Sequence, residues 1–367
     1  MSHEFLKDLT FNTYDKKAED EAKRRLDHIA KPLDGLGSFE TMICRIAGMQ
    51  GSADIDISRR IVVMMCADNG IVDEGISQSS YDVTSKVAAS MSEGRSSVCL
   101  MAESAGADTL PVNIGIKEEG SLEEYENITP GANGHFKLLS RSIAKGTRNF
   151  AKEPAMTAED FDRAVKAGIR LVKDLSDMGY RIICTGEMGI GNTTTSAALA
   201  AAILRLPVEE VTGRGAGLDN EGYKRKVSVI DSAIKKYDLY EADPVDAACI
   251  AGGFDIAALT GIFTGGAMYG IPVVIDGVIS GTAALLAYKL CPVTRKYMLP
   301  SHLGDEKAMK HIMRELGFEP VIHAGMKLGE GTGAVMLLPM LDTALALYTA
   351  GSSFDDIKVG QYVRTKD

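Results

Sequence analysis

Tryptophan is absent from the chain, and aromatic residues make up only 6% of it. Proteins that bind nucleic acid by base stacking ordinarily carry more rings and more positive charge. Here 40 Lys and Arg face 50 Asp and Glu, a formal net charge of -10 at pH 7. Nonspecific binding of a polyanion is therefore not expected, although a local cationic pocket for a small anion is compatible with that balance. C-x-x-C pairs are missing as well. Cys44, Cys66, Cys99, Cys184, Cys249 and Cys291 are scattered, which fits free thiols in a reducing cytoplasm rather than a disulfide framework or a zinc site. None of the six His has metal spacing, and only His302 stands out, so no metal is expected. The first residues, MSHEFLKDLTFN, lack the basic-then-apolar order of a signal peptide. Ile256 to Ile275 carries no charge and has spanning length. Gly261, Gly265, Gly266, Gly270 and Pro272 interrupt it, and Asp255 and Asp276 bracket it. It reads as a buried helix, a Gly-Ile-Pro turn and a short strand, with no membrane association.

What is present describes a globular protein. Its 367 residues are 45% hydrophobic and 25% charged, enough for two domains or one large one. RIVVMMCADNG (60–70) is a short apolar run ending in polar residues and Gly, as a strand buried on both faces reads. ADTLPVNIGI (107–116), RIICTGEM (181–188) and VVIDG (273–277) repeat that pattern. KYMLPSH (296–302) and PVIHAG (320–325) are candidate last strands. Helical spacing separates them, at Val83 to Glu103, Ala158 to Met178 and Asp219 to Lys236. Strands alternating with helices predict an α/β fold whose mostly parallel sheet is covered on both faces. Ligands on such sheets bind at the carboxyl ends of the strands.

Two glycine-rich turns carry chemistry. In TGEMGIGNTTTSAA (185–198), Gly189 and Gly191 let backbone amides approach an anion. Asn192 and Thr193 add side-chain donors, and the following helix points its positive end the same way. The pattern suits a phosphate loop and a tight strand-to-helix turn about equally. It is neither a Walker A loop nor G-x-G-x-x-G. Glu187 sits beside it, where an acid either balances a developing cation, accepts a proton, bonds a ribose or caps an N–H. In MKLGEGTGA (326–334), Gly329, Gly331 and Gly333 surround Glu330 ahead of an apolar helix. They free backbone N–H groups and leave the carboxylate room for a ligand; a strained turn with an exposed Glu has the same sequence. Arg214, Lys224, Arg225 and Lys226 form a positive patch, one member of which could meet a phosphate while the rest are solvated. Asp68, Asn69 and Asp276 fall at expected strand ends. No Ser lies in a G-x-S-x-G elbow.

Along nearly its whole length the chain resembles the nicotinate-nucleotide:dimethylbenzimidazole phosphoribosyltransferases of cobalamin lower-ligand assembly. KPLDGLGSFE (31–40), CADNGI (66–71), GTRNFAKEPAMT (146–157), GEMGIGNTT (186–194), VIDG (274–277), SHLGDE (301–306) and LGEGTGA (328–334) carry the resemblance in that order. It implies transfer of the phosphoribosyl group of nicotinate mononucleotide to an aromatic nitrogen base, without a cofactor. It implies Glu330, flanked by Gly329 and Gly331, as the base that deprotonates the acceptor, and Glu187 as a second acid near the ribosyl centre. Gly189, Gly191, Asn192 and Thr193 match the phosphate loop and Lys226 a phosphate-binding Lys. Asp276 matches a residue lining the nucleotide site, and Ser79 a Ser near the base pocket. A Rossmann-like large domain (59–344) and a small helical domain (1–58 with about 345–367) are implied, as is a cytoplasmic homodimer. The chain departs from the family at Lys86 and Val87, at Asn69 and at Gly304, which leaves the acceptor base open. The alternative is a non-catalytic or partner-dependent nucleotide-binding subunit of the same fold, which would have no use for Glu330.

Overall fold

A computed structural model of the chain describes residues 4–117 and 122–364. Its frame is a sheet of six strands: β1 (Arg60–Ala67), β2 (Asp108–Gly115), β3 (Leu139–Ser140), β4 (Ile182–Met188), β5 (Val273–Ile275) and β6 (Met298–Pro300). The order is β3-β2-β1-β4-β5-β6, and every pairing is parallel. The chain therefore leaves β1 outward in one direction and returns to its other side with β4. The crevice between the carboxyl ends of β1 and β4 is the switch point where such sheets place ligands.

The apolar run of β1 is continuous because both of its faces are buried. Ile61, Val63 and Met65 join one core with helices Ala158–Asp177, Asn192–Leu204, Phe254–Tyr269 and Val278–Leu290. Val62, Met64 and Cys66 join the opposite core with helices Ser38–Gln50, Asp82–Ser92, Ser97–Ser104 and Thr332–Ala350. A third, smaller core brings Ala22 and Leu26 of helix Lys16–His28 against Ile43 and Ala47 and against Ala344 and Tyr348 near the end of helix Thr332–Ala350. The N-terminal and C-terminal helices thus touch one another beside the sheet.

The uncharged run resolves into helix Phe254–Tyr269 and strand β5, joined by Gly270 at φ +72°. Gly261 does not break that helix. A Cβ there would lie 2.1 Å from Val165 O, and one on Gly168 would lie 2.1 Å from Ala258 O. The two glycines let helices 158–177 and 254–269 cross backbone to backbone. The stretch Val83 to Glu103 is two helices, broken at Gly94 (φ +72°). Residues 320–325 form no strand; Ile322 makes only an isolated bridge to His302. Helix Ala158–Asp177 starts where expected, with Thr157 and Asp160 bonding reciprocally to each other's backbone N–H. Helix Thr332–Ala350 is long and apolar enough to cross a membrane, but Val335, Leu337, Leu338 and Leu341 are buried in the core described above.

Candidate active site

At the end of β4 the chain turns into helix Asn192–Leu204 through Gly191, at φ +93°. No side chain caps this helix, and the Thr193 N–H has no hydrogen-bond partner among the described residues. Thr193 Oγ1 accepts from Lys226 Nζ at 2.9 Å. Gly215 closes against both; a Cβ on it would meet Thr193 Oγ1 at 2.8 Å. Gly189, Gly191, Asn192, Thr193 and Gly215 line a pocket of about 70 Å³, which shares its Arg214 and Gly215 wall with a cavity of about 740 Å³. Lys226 is fully buried, and burial pushes its ammonium down to about 8, Glu306 partly opposing that. A buried ammonium whose hydrogen-bond partner is a hydroxyl, at an uncapped helix N-terminus, is a place for a small anion.

Of the four cations in the patch, Lys226 bonds Thr193 and Arg214 lines the pocket wall. Lys224, Arg225 and Arg214 are exposed; Arg225 donates to Gly75 O at 2.9 Å and Arg214 to Leu218 O at 2.9 Å. Ser79 lies in the loop whose Ile76, Ser77 and Gln78 also line the small pocket; its N–H donates to Ser77 Oγ at 3.1 Å.

Glu187 belongs to strand β4, one residue before its end, rather than to the loop. It is buried, and its Oε2 accepts from Asn192 Nδ2. The same Nδ2 donates to Asp255 Oδ2 at 3.2 Å. Burial first, then the charge of Asp255, pushes the Glu187 carboxyl up to about 8. Burial raises Asp255 to about 6. Asp255 had no place among the sequence-derived candidates. The signal available was its position in the first turn of a helix after Gly252 and Gly253.

Glu330 stands in the turn itself. Gly329, Glu330 and Gly331 are consecutive left-handed residues, at φ +85°, +62° and +100°. A Cβ on Gly186 of β4 would lie 2.2 Å from Glu330 O, so only glycine lets the turn rest on the strand. Glu330 Oε2 accepts from Val98 N at 3.1 Å, in the first turn of helix Ser97–Ser104. Its Oε1 has no partner among the described residues. Gly329 faces Glu187: a Cβ there would come within 3.0 Å of Glu187 Oε1. The 329–331 turn thus lies beside Glu187, and the charge of Glu330 acts on it.

Asp276 follows β5 and is turned inward, 2% exposed. Its Oδ1 accepts from Ala334 N at 3.0 Å, and the N–H groups of Gly277 and Gly333 and the His302 ring also act on it, while burial raises its pKa. It anchors the start of helix Thr332–Ala350, and so the turn that holds Glu330. Asp68 does similar work after β1, accepting from Thr84 Oγ1 at 2.5 Å and Lys117 N at 2.8 Å.

An uncapped helix N-terminus beside a buried lysine, with two acids close by at the switch point of a parallel sheet, suits group transfer on a small phosphorylated substrate. A sequence model of the family described as phosphoribosyltransferase matches residues 11–359. The nicotinate-nucleotide–dimethylbenzimidazole phosphoribosyltransferase of Acetivibrio thermocellus is 40% identical over 347 residues, 95% of each chain. The enzyme of the same description from Ruminiclostridium cellulolyticum is 39% identical over 97% of this chain and 96% of its own. A crystal structure of the Thermus thermophilus enzyme of that description superposes with a TM-score of 0.83 at 33% identity, over 95% of this chain and 100% of that one. The chain belongs to the nicotinate-nucleotide–dimethylbenzimidazole phosphoribosyltransferase family and is a phosphoribosyltransferase of that type.

Proposed function

We propose that nicotinate mononucleotide binds with its phosphate in the Thr193 and Lys226 cradle, and that its phosphoribosyl group passes to 5,6-dimethylbenzimidazole or a related base. Nicotinate leaves and an α-ribotide forms, with Glu330 as general base. The observation that supports the assignment is the closeness of the Glu330 turn to Glu187, whose carboxyl feels the Glu330 charge, at the same end of the sheet as the Thr193 and Lys226 cradle. Loss of nicotinate leaves oxocarbenium character at the ribose, and an ionised Glu187 stabilises it. Burial holds Glu187 largely protonated near neutral pH, and the positive ring of the bound nucleotide favours the carboxylate. As the acceptor nitrogen bonds to the anomeric carbon, the other ring N–H becomes acidic, and Glu330 takes that proton through its unpartnered Oε1. Positioned bases of this kind contribute ~10²–10⁴-fold. Gly329 and Gly331 hold the turn, Asp276 ties it to β5, and Ser79 stands near the acceptor.

The same reading treats residues 1–58 with 345–367 as a small helical domain and 59–344 as the catalytic one. It also includes a homodimer: Leu328, Met336, Met340 and Leu100 are exposed apolar side chains on the Glu330 turn, its helix and the neighbouring helix. Six buried free thiols are in keeping with a cytoplasmic enzyme.

The test is a product assay. Purified protein is incubated with nicotinate mononucleotide and, separately, dimethylbenzimidazole, benzimidazole, adenine and p-cresol, with nicotinate release followed by chromatography. Base-dependent release with an α-ribotide product is expected, and the fastest acceptor identifies the preferred base. Binding of the nucleotide with no release for any base would contradict the proposal and favour a binding subunit.

A further inference from the structure

We propose that Asp255 is a positioning residue for Glu187: the two acids, bridged by the Asn192 amide, hold one proton between them, and Asp255 carries it when positive charge forms beside Glu187. Asn192 Nδ2 donates to both acids, and Asp255 is completely buried. Asp255 Oδ1 accepts from the Ile256 N–H at 2.9 Å and turns toward Asn69. Asn69 Oδ1 is buried without a hydrogen-bond partner. Its amide orientation is set, because Nδ2 donates to Ile190 O at 3.4 Å. Asn69 Oδ1 and Asp255 Oδ1 converge on Gly253, 2.4 and 2.3 Å from where a Cβ would sit. A buried acceptor facing a carboxyl lacks a donor unless that carboxyl is protonated. A proton on Asp255 supplies it.

The surroundings supply like charge. Asp276, just after β5, and Glu330, in the 329–331 turn, act on Glu187, whose charge in turn acts on the Cys66 thiol of β1. Asp68 acts on Asp255 from the end of β1. The His302 ring acts on Asp276 instead. Two buried acids in such a setting ionise in two steps that belong to the pair. With a cation forming beside Glu187, the ionised form is favoured there, and Asp255 keeps the proton against Asn69.

This rests on the reading that Glu187 serves the ribosyl centre, and the experiment separates the two. The pH dependence of kcat and of kcat/KM is measured with nicotinate mononucleotide and dimethylbenzimidazole for the wild type, Asp255→Asn and Glu187→Gln. Asp255→Asn keeps a donor for Asn69 and an acceptor for Asn192 but removes the titrating partner. Asn stands in for the protonated Asp255, so its profile is expected to lose the step at which the pair gives up its second proton, leaving the single ionisation of Glu187. A profile superimposed on the wild type would overturn the pairing. Glu187→Gln at full turnover would instead overturn the functional reading of Glu187, and the pairing with it. Glu187→Gln inactive alongside an unchanged Asp255→Asn profile removes the pairing alone. Should Asp255→Asn fail to fold by circular dichroism, Asn69→Ala removes the acceptor and keeps both acids. Loss of that acceptor favours an ionised Asp255, which holds the proton on Glu187, so the ionisation of Glu187 should move to higher pH, and an unmoved profile contradicts the proposal.

Discussion

The chain enters a helix through glycine twice at this site, at 186–194 and at 328–334, and an acid accompanies each turn. In the first, backbone strain is confined to Gly191, and Glu187 is placed on the strand before the turn. Burial and neighbouring carboxylates set its protonation. In the second, three consecutive residues are left-handed and the acid is the middle one. A non-glycine residue held there costs about 1–3 kcal/mol, which the surrounding contacts must offset. Those contacts are the Gly186 approach, the Asp276 bonds and the Val98 N–H. One turn tunes an acid by environment and leaves helix N–H groups for an anion. The other aims an acid by backbone shape and leaves one of its oxygens open. Similar sequence patterns have produced one turn that leaves a helix N-terminus open and another that mounts a carboxylate.

If the turns divide the work in this way, Glu330→Gln lowers kcat by ~10²–10⁴-fold while nucleotide affinity, measured by calorimetry, stays near that of the wild type. Lys226→Ala acts on the other turn. Loss of a charged hydrogen bond of about 1.5–3 kcal/mol raises the nucleotide KM by roughly 10–100-fold and leaves the acceptor KM unchanged. Gly331→Ala tests the mount. Its Cβ would meet Val62 Cγ1 at 2.9 Å in a left-handed backbone, so urea denaturation should show a loss of about 1–3 kcal/mol, with kcat falling and nucleotide binding kept.

Smaller effects follow pH. Lys226 loses its proton as pH rises through about 8, so the nucleotide KM should climb above that pH; a flat KM would separate Lys226 from the phosphate. Glu187 and Asp255 have pKa values raised on folding, to about 8 and about 6. The folded state therefore holds more protons than the unfolded one between the ordinary carboxylate range and about pH 8. That stabilisation is complete below the ordinary carboxylate range and is lost as pH rises through about 6 and then about 8. Urea titrations at pH 5, 7 and 9 should show their share of the stability declining in that order.

Much of this frame is legible in the chain, and the exceptions have physical causes. β1 and β4 read clearly because six or seven residues buried on both faces leave an apolar run. β5 and β6 are readable from their apolar residues despite having three each, whereas β3 has two, too short for any period to register, and the strand order rests on contacts between distant segments. The buried helix, turn and strand at 254–275 are readable, but the reason for Gly261 is not, because its partner, the Val165 backbone, lies on another helix. Both acids are visible beside their glycines, but Asp255 is 63 positions from Asn192, the residue that joins it to Glu187. Lys226 carries a signal in its helix spacing as well as in its charged neighbours. It falls on the buried stripe of its helix with Gly222, Ile230 and Ala233, where a lysine is out of place unless it has a ligand. Glu330 announces itself through its glycines, whereas the Val98 N–H that holds it has no local signal.

The central claim is that Glu330 removes the acceptor's ring proton, and an acceptor with no such proton tests it most directly. Turnover of the wild type and Glu330→Gln would be compared with dimethylbenzimidazole and with 1-methylbenzimidazole, whose second nitrogen carries a methyl group. The account predicts a deficit of ~10²–10⁴-fold for the first acceptor, collapsing toward parity for the second. An equal deficit for both would contradict it and assign Glu330 to holding the substrates.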